Sequence, residues 1–579
     1  MMSIRMEEIF GKVTKIFVFL PFKLENNDQM KKISLLLMAL FAVICVRAQI
    51  ATNIYWVQFT DKNDSPYSID NPEAFLSQRA LERRARLGIA IDEYDIPVNP
   101  QYLLGVADCG AQLLNPTKWL NGVTVYTDSQ SVVEAINALP YVQTVRECPN
   151  NPEAQEMKER WMAAEMVPTA SRSMAARGFY GGAETQVYQL RVNELHDMGF
   201  DGTGVVIAVL DGGFINTENH SCFDNMREEG RLLGVRDFVY GSTSVYSQGT
   251  HGTSCLSTIG AYDPNNMVGT APKASFYLLH TEDGEGENIV EEYNWVSGAE
   301  YADSVGVDIC STSLGYIDFE MPQWDHPVEH FDGHTAPMTI GAEIAATRGI
   351  ICTNSAGNEY GGYCTLGIPA DAEHILTVGA VDRDGNRADF SSTGPTYDGR
   401  IKPDVMAMGE GTCVATGYPG WMNYYNGSGT SFSNPVLAGA VACLRQARPE
   451  ASVQEICDAV RMASNRADNP DNEYGYGIPD FVLALELTPL HVDTFVEQNE
   501  IIDIYPNPSN GNVQFRMKEG YKAEINVFDA MGRHLKYYHF NGLNHTSLEH
   551  FINGLNNGVY FIKADSELGS QTLKLVITK

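Results

Sequence analysis

At 579 residues the chain is too long for one ordinary domain, and a 44% hydrophobic, glycine-rich composition marks it as globular. With 40 Lys and Arg against 73 Asp and Glu, the net charge is −33. Such a surface repels nucleic-acid phosphates and anionic lipid, which excludes functions built on binding either and favours solubility.

The first informative segment is Lys31-Lys32, followed by an apolar run over 33–46 and by Ala48. This is the pattern of a signal peptide cut at Ala48–Gln49, with translation expected to start at Met30. The run falls short of the roughly 20 residues a membrane span requires, so no transmembrane anchor is expected. Of the 11 cysteines, Cys45 would leave with the signal. Export permits disulfides among the other ten, including Cys109 and Cys148. Cys255, Cys310, Cys352 and Cys443 instead sit in apolar patterns that suit buried thiols.

Residues 49–175 read as a separate unit. Strands are expected at 54–59, 122–126 and 141–145, and helices at 75–87, which is Arg-rich, and 132–139. Such units suit an antiparallel sheet with helices on one face. The stretch 150–175, polar and Ala/Ser-rich, reads as an exposed, cleavable linker. From 176 to 490 the pattern changes. Nearly continuous apolar runs at 205–210, 307–311, 350–353 and 375–381 alternate with helical stretches at 289–304 and 339–347. Strands apolar on both faces predict an α/β fold with a parallel sheet covered by helices, whose ligand site lies at the carboxyl ends of the strands. Residues 491–579 open with Tyr505-Pro506-Asn507-Pro508-Ser509-Asn510-Gly511 and continue as short alternating strands, which predicts a small antiparallel β-sandwich.

Four short segments of the middle region carry chemistry. Asp211 follows an apolar strand and precedes Gly212-Gly213. His251 opens a small-residue helical stretch. Asn358 closes Ser355-Ala356-Gly357-Asn358. Ser431 lies in Gly429-Thr430-Ser431-Phe432-Ser433-Asn434-Pro435, before an apolar run at 436–444 that places the serine near a helix N-terminus. Alone, each has an ordinary explanation as a cap, a turn or an exposed histidine. Together they supply a carboxylate, an imidazole, an amide donor and a hydroxyl, which suffice for acyl transfer without a cofactor.

In the order Asp, His, Ser these motifs resemble the subtilisin-like (subtilase) serine peptidases. The resemblance covers roughly 185–485 and departs from the family pattern at Phe432, Ser433 and Val436. It implies a catalytic triad of Asp211, His251 and Ser431, an oxyanion donor in Asn358, and a substrate-binding edge at Ser313, Leu314 and Gly315. It also implies an inhibitory propeptide for 49–175. The C-terminal unit is similar to the sorting domain of the type IX secretion system of Bacteroidetes, through Tyr505-Pro506-Asn507-Pro508, the Asp529-Ala530-Met531-Gly532 turn and Gly558-Val559-Tyr560-Phe561. The resemblance therefore implies a secreted or surface-attached serine endopeptidase. Its partners would be protein or peptide substrates, its own propeptide and the type IX machinery. No metal is assigned to the site and no cofactor is required. A structural calcium is compatible with Asp283, Glu285 and Glu287, although no EF-hand spacing supports one. The alternatives are an inactive subtilase-fold binding protein, an esterase, and a zinc peptidase using His326-Pro327-Val328-Glu329-His330. The esterase lacks its G-x-S-x-G motif, and in the zinc reading Pro327 breaks the helix.

Overall fold

The computed structural model describes residues 53–148, 178–284, 286–319, 323–418, 423–490, 502–510, 513–517, 522–530, 532–540, 555–566 and 569–579. The expected signal peptide, the linker at 150–175, Glu285, Gly511 and Met531 lie outside them. Two compact units divide the chain, Met1–Thr488 and Pro489–Lys579.

The first unit begins with a four-stranded antiparallel sheet. Its elements are β1 (Ile54–Phe59), α1 (Gln78–Arg86), α2 (Pro100–Asp108), β2 (Gln112–Thr117), β3 (Gly122–Tyr126), α3 (Gln130–Asn137) and β4 (Val142–Glu147), with strand order β2-β3-β1-β4. Alternation along β1 sends Val57 and Phe59 into a core with Val106 of α2 and Ile136 of α3. Trp56 points to the opposite face and stacks on Tyr293 at 4.4 Å. Two elements here go beyond the sequence reading. Asn99 caps α2 by accepting the Gln101 N–H at 2.9 Å, with Pro100 at the first helical position. β2 holds Pro116, which is tolerated because β2 is an edge strand whose register shifts there.

The larger part of this unit is built on seven parallel strands: β5 (Val206–Asp211), β6 (Leu232–Asp237), β7 (Ser275–His280), β8 (Ile309–Thr312), β9 (Ile351–Ser355), β10 (Leu376–Val381) and β11 (Val405–Met408). Their order is β11-β10-β9-β8-β5-β7-β6. Helices cover both faces. Ile207 and Val209 of β5 join a core with α4 (His251–Gly260) and α7 (Thr430–Ala447). Val206, Ala208 and Leu210 join another with α5 (Val290–Val305) and α6 (Pro337–Thr347). This two-sided burial explains why the strands read as unbroken apolar runs. The strand order reverses between β5 and β8, and at such a switch point the carboxyl ends of neighbouring strands open a crevice.

In the second unit β12 (Ile502–Tyr505) pairs with β13 (Gln514–Met517), and β14 (Ala523–Asp529), β15 (His534–Phe540), β16 (Gly558–Ser566) and β17 (Gly569–Ile577) form an antiparallel sheet ordered β15-β14-β16-β17. Ile502, Ile525, Val527, Ile562 and Leu575 make its core. Asn507 accepts the Val576 N–H at 2.9 Å and ties the Pro-Asn-Pro turn to the last strand. The α/β class, with an α+β unit before it and a β unit after it, is the one the sequence predicts.

Candidate active site

Three neighbouring strands end at the switch point, and each delivers a predicted residue. Asp211 is the last residue of β5, Ser313 follows β8, and Asn358 lies three residues beyond β9. Asp211 is fully buried; its Oδ1 accepts the Gly212 N–H at 2.8 Å and faces His251 Nδ1 at 2.7 Å. A carboxylate there accepts the hydrogen bond of Nδ1–H, which keeps that proton on Nδ1 and leaves Nε2 as the basic nitrogen of the neutral ring. The approach of the two residues depends on glycines. Gly213 and Gly249 both have positive φ, and a Cβ on Gly249 would lie 1.7 Å from the Gly212 carbonyl oxygen. The loop after β5 can therefore press against the turn that starts α4 at His251.

Ser431 occupies the first turn of α7, which packs on α4. Pro435 stands four residues further on and has no N–H, so the helix cannot satisfy the Ser431 carbonyl. Two donors from other elements do so instead: Ser313 Oγ at 2.8 Å and Cys255 Sγ at 3.3 Å. Ser431 Oγ itself lies 3.5 Å from the Ser313 carbonyl oxygen. Cys255, one turn after His251, also contacts that imidazole at 3.7 and 3.9 Å. Burial pushes its thiol up to about 12, so it stays protonated and serves as a donor. Phe432 fills the space beneath, in a small cluster with Cys255 and Val414, its ring 6.0 Å from that of His251.

Asn358 Oδ1 accepts both the N–H and the Oγ1–H of Thr430, each at 2.9 Å. These two donors fix the orientation of the amide and make its other end, Nδ2, the donor. Beyond β8, Gly315 backs onto Gly367, and Tyr316 exchanges backbone hydrogen bonds with Ile368 at 3.0 and 3.1 Å. Asn354 Nδ2 donates to the Leu314 carbonyl at 3.1 Å, which sets the backbone of 313–315 along the crevice.

The structure thus brings Asp211 and His251 into contact, seats Ser431 against Ser313, and links Asn358 to the residue before the serine. Leu314 and Gly315 flank this group. Sequence reasoning did not give Cys255, Thr430 or the Ser313 hydroxyl their parts. The spacing of four in His251–Cys255 and in Ser431–Pro435 is the signal that could have found the first and the consequence of the last. Among the described residues, Asp211, His251 and Cys255 form the one group of three carboxylate, imidazole or thiol ligands within 4.8 Å. The acidic loop gives no such group there, and Asp283 accepts the Tyr240 hydroxyl at 2.5 Å. His326 to His330 form a loop ending in a short 3-10 turn rather than the helix a zinc peptidase motif needs. All ten described cysteines are free thiols.

A parallel sheet covered on both faces, with an acid, an imidazole and a hydroxyl at its carboxyl edge, is the architecture of a hydrolytic α/β enzyme. Residues 202–477 match the subtilase family, 54–162 the peptidase S8 propeptide domain of Bacteroidota, and 503–578 a secretion system C-terminal sorting domain. Serine protease AprX of Bacillus subtilis is 28% identical over 303 residues, covering 48% of this chain and 65% of that protein. Subtilisin E of the same organism is 30% identical over 297 residues, 50% of this chain and 68% of its own. Subtilisin of Bacillus pumilus is 30% identical over 283 residues, 48% and 90% respectively. The chain belongs to the subtilase family of serine peptidases, with its own propeptide domain and a sorting domain that directs it to the cell surface or outside. No helix among the described residues is long and apolar enough to cross a membrane.

Proposed function

We propose that this chain is a secreted serine endopeptidase with Ser431 as nucleophile, His251 as general base and then general acid, and Asp211 as the group that orients the imidazole. Nε2 of His251 takes the Ser431 proton as Oγ attacks a peptide carbonyl. Nδ2 of Asn358 and the Ser431 N–H, at the positive end of α7, stabilise the oxyanion. His251 then protonates the leaving amine, and water repeats the sequence on the acyl-enzyme. The backbone of Ser313, Leu314 and Gly315 lines the substrate up as an added strand. The reading assigns 1–48 to a leader, 49–175 to the propeptide and linker, 176–490 to the peptidase and 491–579 to the sorting domain.

The observation that carries this reading is the 2.7 Å contact between His251 Nδ1 and buried Asp211, made where the first turn of α7 presents Ser431. The test is covalent labelling with a fluorophosphonate together with hydrolysis of a peptide library. Wild-type chain should label at Ser431 and cut peptides. Ser431→Ala should remain folded, take no label and lose hydrolysis. Normal turnover by Ser431→Ala would overturn the assignment, and a folded wild type that neither labels nor cuts would favour an inactive binding protein.

A further inference from the structure

Two imidazoles that peptide hydrolysis does not use meet in the segment between Tyr316 and α6. His326 Nδ1 lies 3.0 Å from His330 Nδ1, with ring centroids 5.3 Å apart and planes crossed at 60°. On its far side, His326 Nε2 is 2.7 Å from Glu292 Oε1, and the other oxygen of that carboxylate accepts the Met338 N–H at 3.0 Å. Glu292 is fully buried and His326 nearly so, whereas His330 is partly exposed.

A carboxylate on one ring nitrogen is the support that metal-binding histidines have. It holds Nε2–H, so the neutral ring offers the Nδ1 lone pair in a fixed direction. His330 places its own Nδ1 3.0 Å away, on the more exposed side. A cation about 2.1 Å from two nitrogens that are 3.0 Å apart would be held at an N–metal–N angle of about 90°. That is the cis angle of tetragonal or octahedral ions rather than the wider tetrahedral one. The surrounding charge favours a cation: Glu292, Asp371 and Asp332 act on the pair, against Arg146.

We propose that His326 and His330 form a binding site for a borderline divalent transition-metal ion, with Glu292 supporting His326 and water completing the coordination. The ion would brace the segment that continues from Ser313, Leu314 and Gly315. There Phe319 stacks on Tyr316 at 5.8 Å and meets the edge of His326 at 5.4 Å. The proposal is independent of the peptidase reading, and its rival is a proton shared between the two nitrogens with no metal.

The test is calorimetric titration of untagged full-length Ser431→Ala chain with Ni²⁺ near neutral pH, beside the same chain carrying His330→Gln. One Ni²⁺ should bind with micromolar affinity, and His330→Gln should weaken it by about tenfold or more. Thermal unfolding checks that this variant, altered at a partly exposed residue, is folded. Bound Cu²⁺ should show two nitrogen ligands by electron paramagnetic resonance, reduced to one by His330→Gln. Failure to take up Ni²⁺, or equal affinity in the His330→Gln chain, would overturn the site in favour of the shared proton.

Discussion

At the scale of single residues, Asn358 acts through both ends of one amide. Its oxygen holds the N–H and hydroxyl of Thr430, next to Ser431, the proposed nucleophile, and this turns its nitrogen toward the proposed role of oxyanion donor. Two substitutions separate these parts. Asn358→Asp keeps the acceptor and removes the donor, whereas Asn358→Ala removes both. We expect either to lower kcat by about 10²–10³, the loss typical of one oxyanion donor in a subtilisin. Asn358→Ala should in addition cost about 1–3 kcal/mol of stability, because the buried Thr430 donors are left without their partner. Steady-state kinetics and urea unfolding of the two variants check this. An Asp variant with wild-type kcat would remove Asn358 from the oxyanion role. The seven positions singled out in the sequence each lie beside a local signal: a strand end, a glycine pair, a proline after a helix start. The second donor to the Ser431 carbonyl was not legible there, since Cys255 reaches it across 176 residues of sequence.

Among the elements, α1 shows where pattern reading stops. Its arginines were visible as a basic helix, and a solvated face is what such a helix ordinarily presents. Instead Arg83 and Arg84 are 1% exposed. Asp303 of α5 accepts Arg83 Nη2 at 2.5 Å and Arg84 Nη2 at 2.9 Å, and lies 3.1 Å from Lys118 Nζ. Asp95 takes a second Arg84 bond at 2.7 Å. Periodicity cannot report this burial, because it depends on a carboxylate some 220 residues away. Buried cations owe their tolerance to the carboxylate they share, so loss of that carboxylate should cost more than loss of any one cation. Asp303→Ala leaves three cations short of a partner in the interface and is expected to destabilise the Ser431→Ala chain by about 3–5 kcal/mol. Urea unfolding measures it. A loss below about 1 kcal/mol would mean that the cluster behaves as an exposed ion pair.

On the scale of the whole first unit, the propeptide sheet and the peptidase meet through Trp56 on Tyr293 and through Glu300 of α5, which accepts the N–H groups of Lys118 and Trp119 at 2.7 and 2.8 Å. The layered α/β plan and the separate β unit were legible because each has its own period. The seam between propeptide and peptidase was not, because a carboxylate at a helical position reads as solvated until another part of the chain buries it. Burial pushes the Glu300 carboxyl up from its ordinary 4.5 to about 7, despite the nearby Lys118 and Lys62. A carboxyl raised in the folded state takes up a proton on folding. Its contribution is therefore complete below about pH 4.5 and is lost as pH rises through about 7. Burial acts oppositely on Lys62, lowering its ammonium from 10.5 to about 8, so that contribution grows only above pH 8. Asp303, held below its ordinary 3.8 by Lys118, Arg83 and Arg84 against the effect of burial, stays charged across this range and adds no slope. The seam should thus be weakest just above neutrality. In the Ser431→Ala background, Glu300→Gln removes the titration while keeping an acceptor for the two N–H groups. The stability of the Glu300→Gln chain relative to its parent should therefore rise steadily between about pH 5 and pH 7.5, read as the difference between the two thermal unfolding midpoints. A difference that stays constant across that interval would mean that Glu300 is solvated and that the propeptide seam carries no such pH dependence.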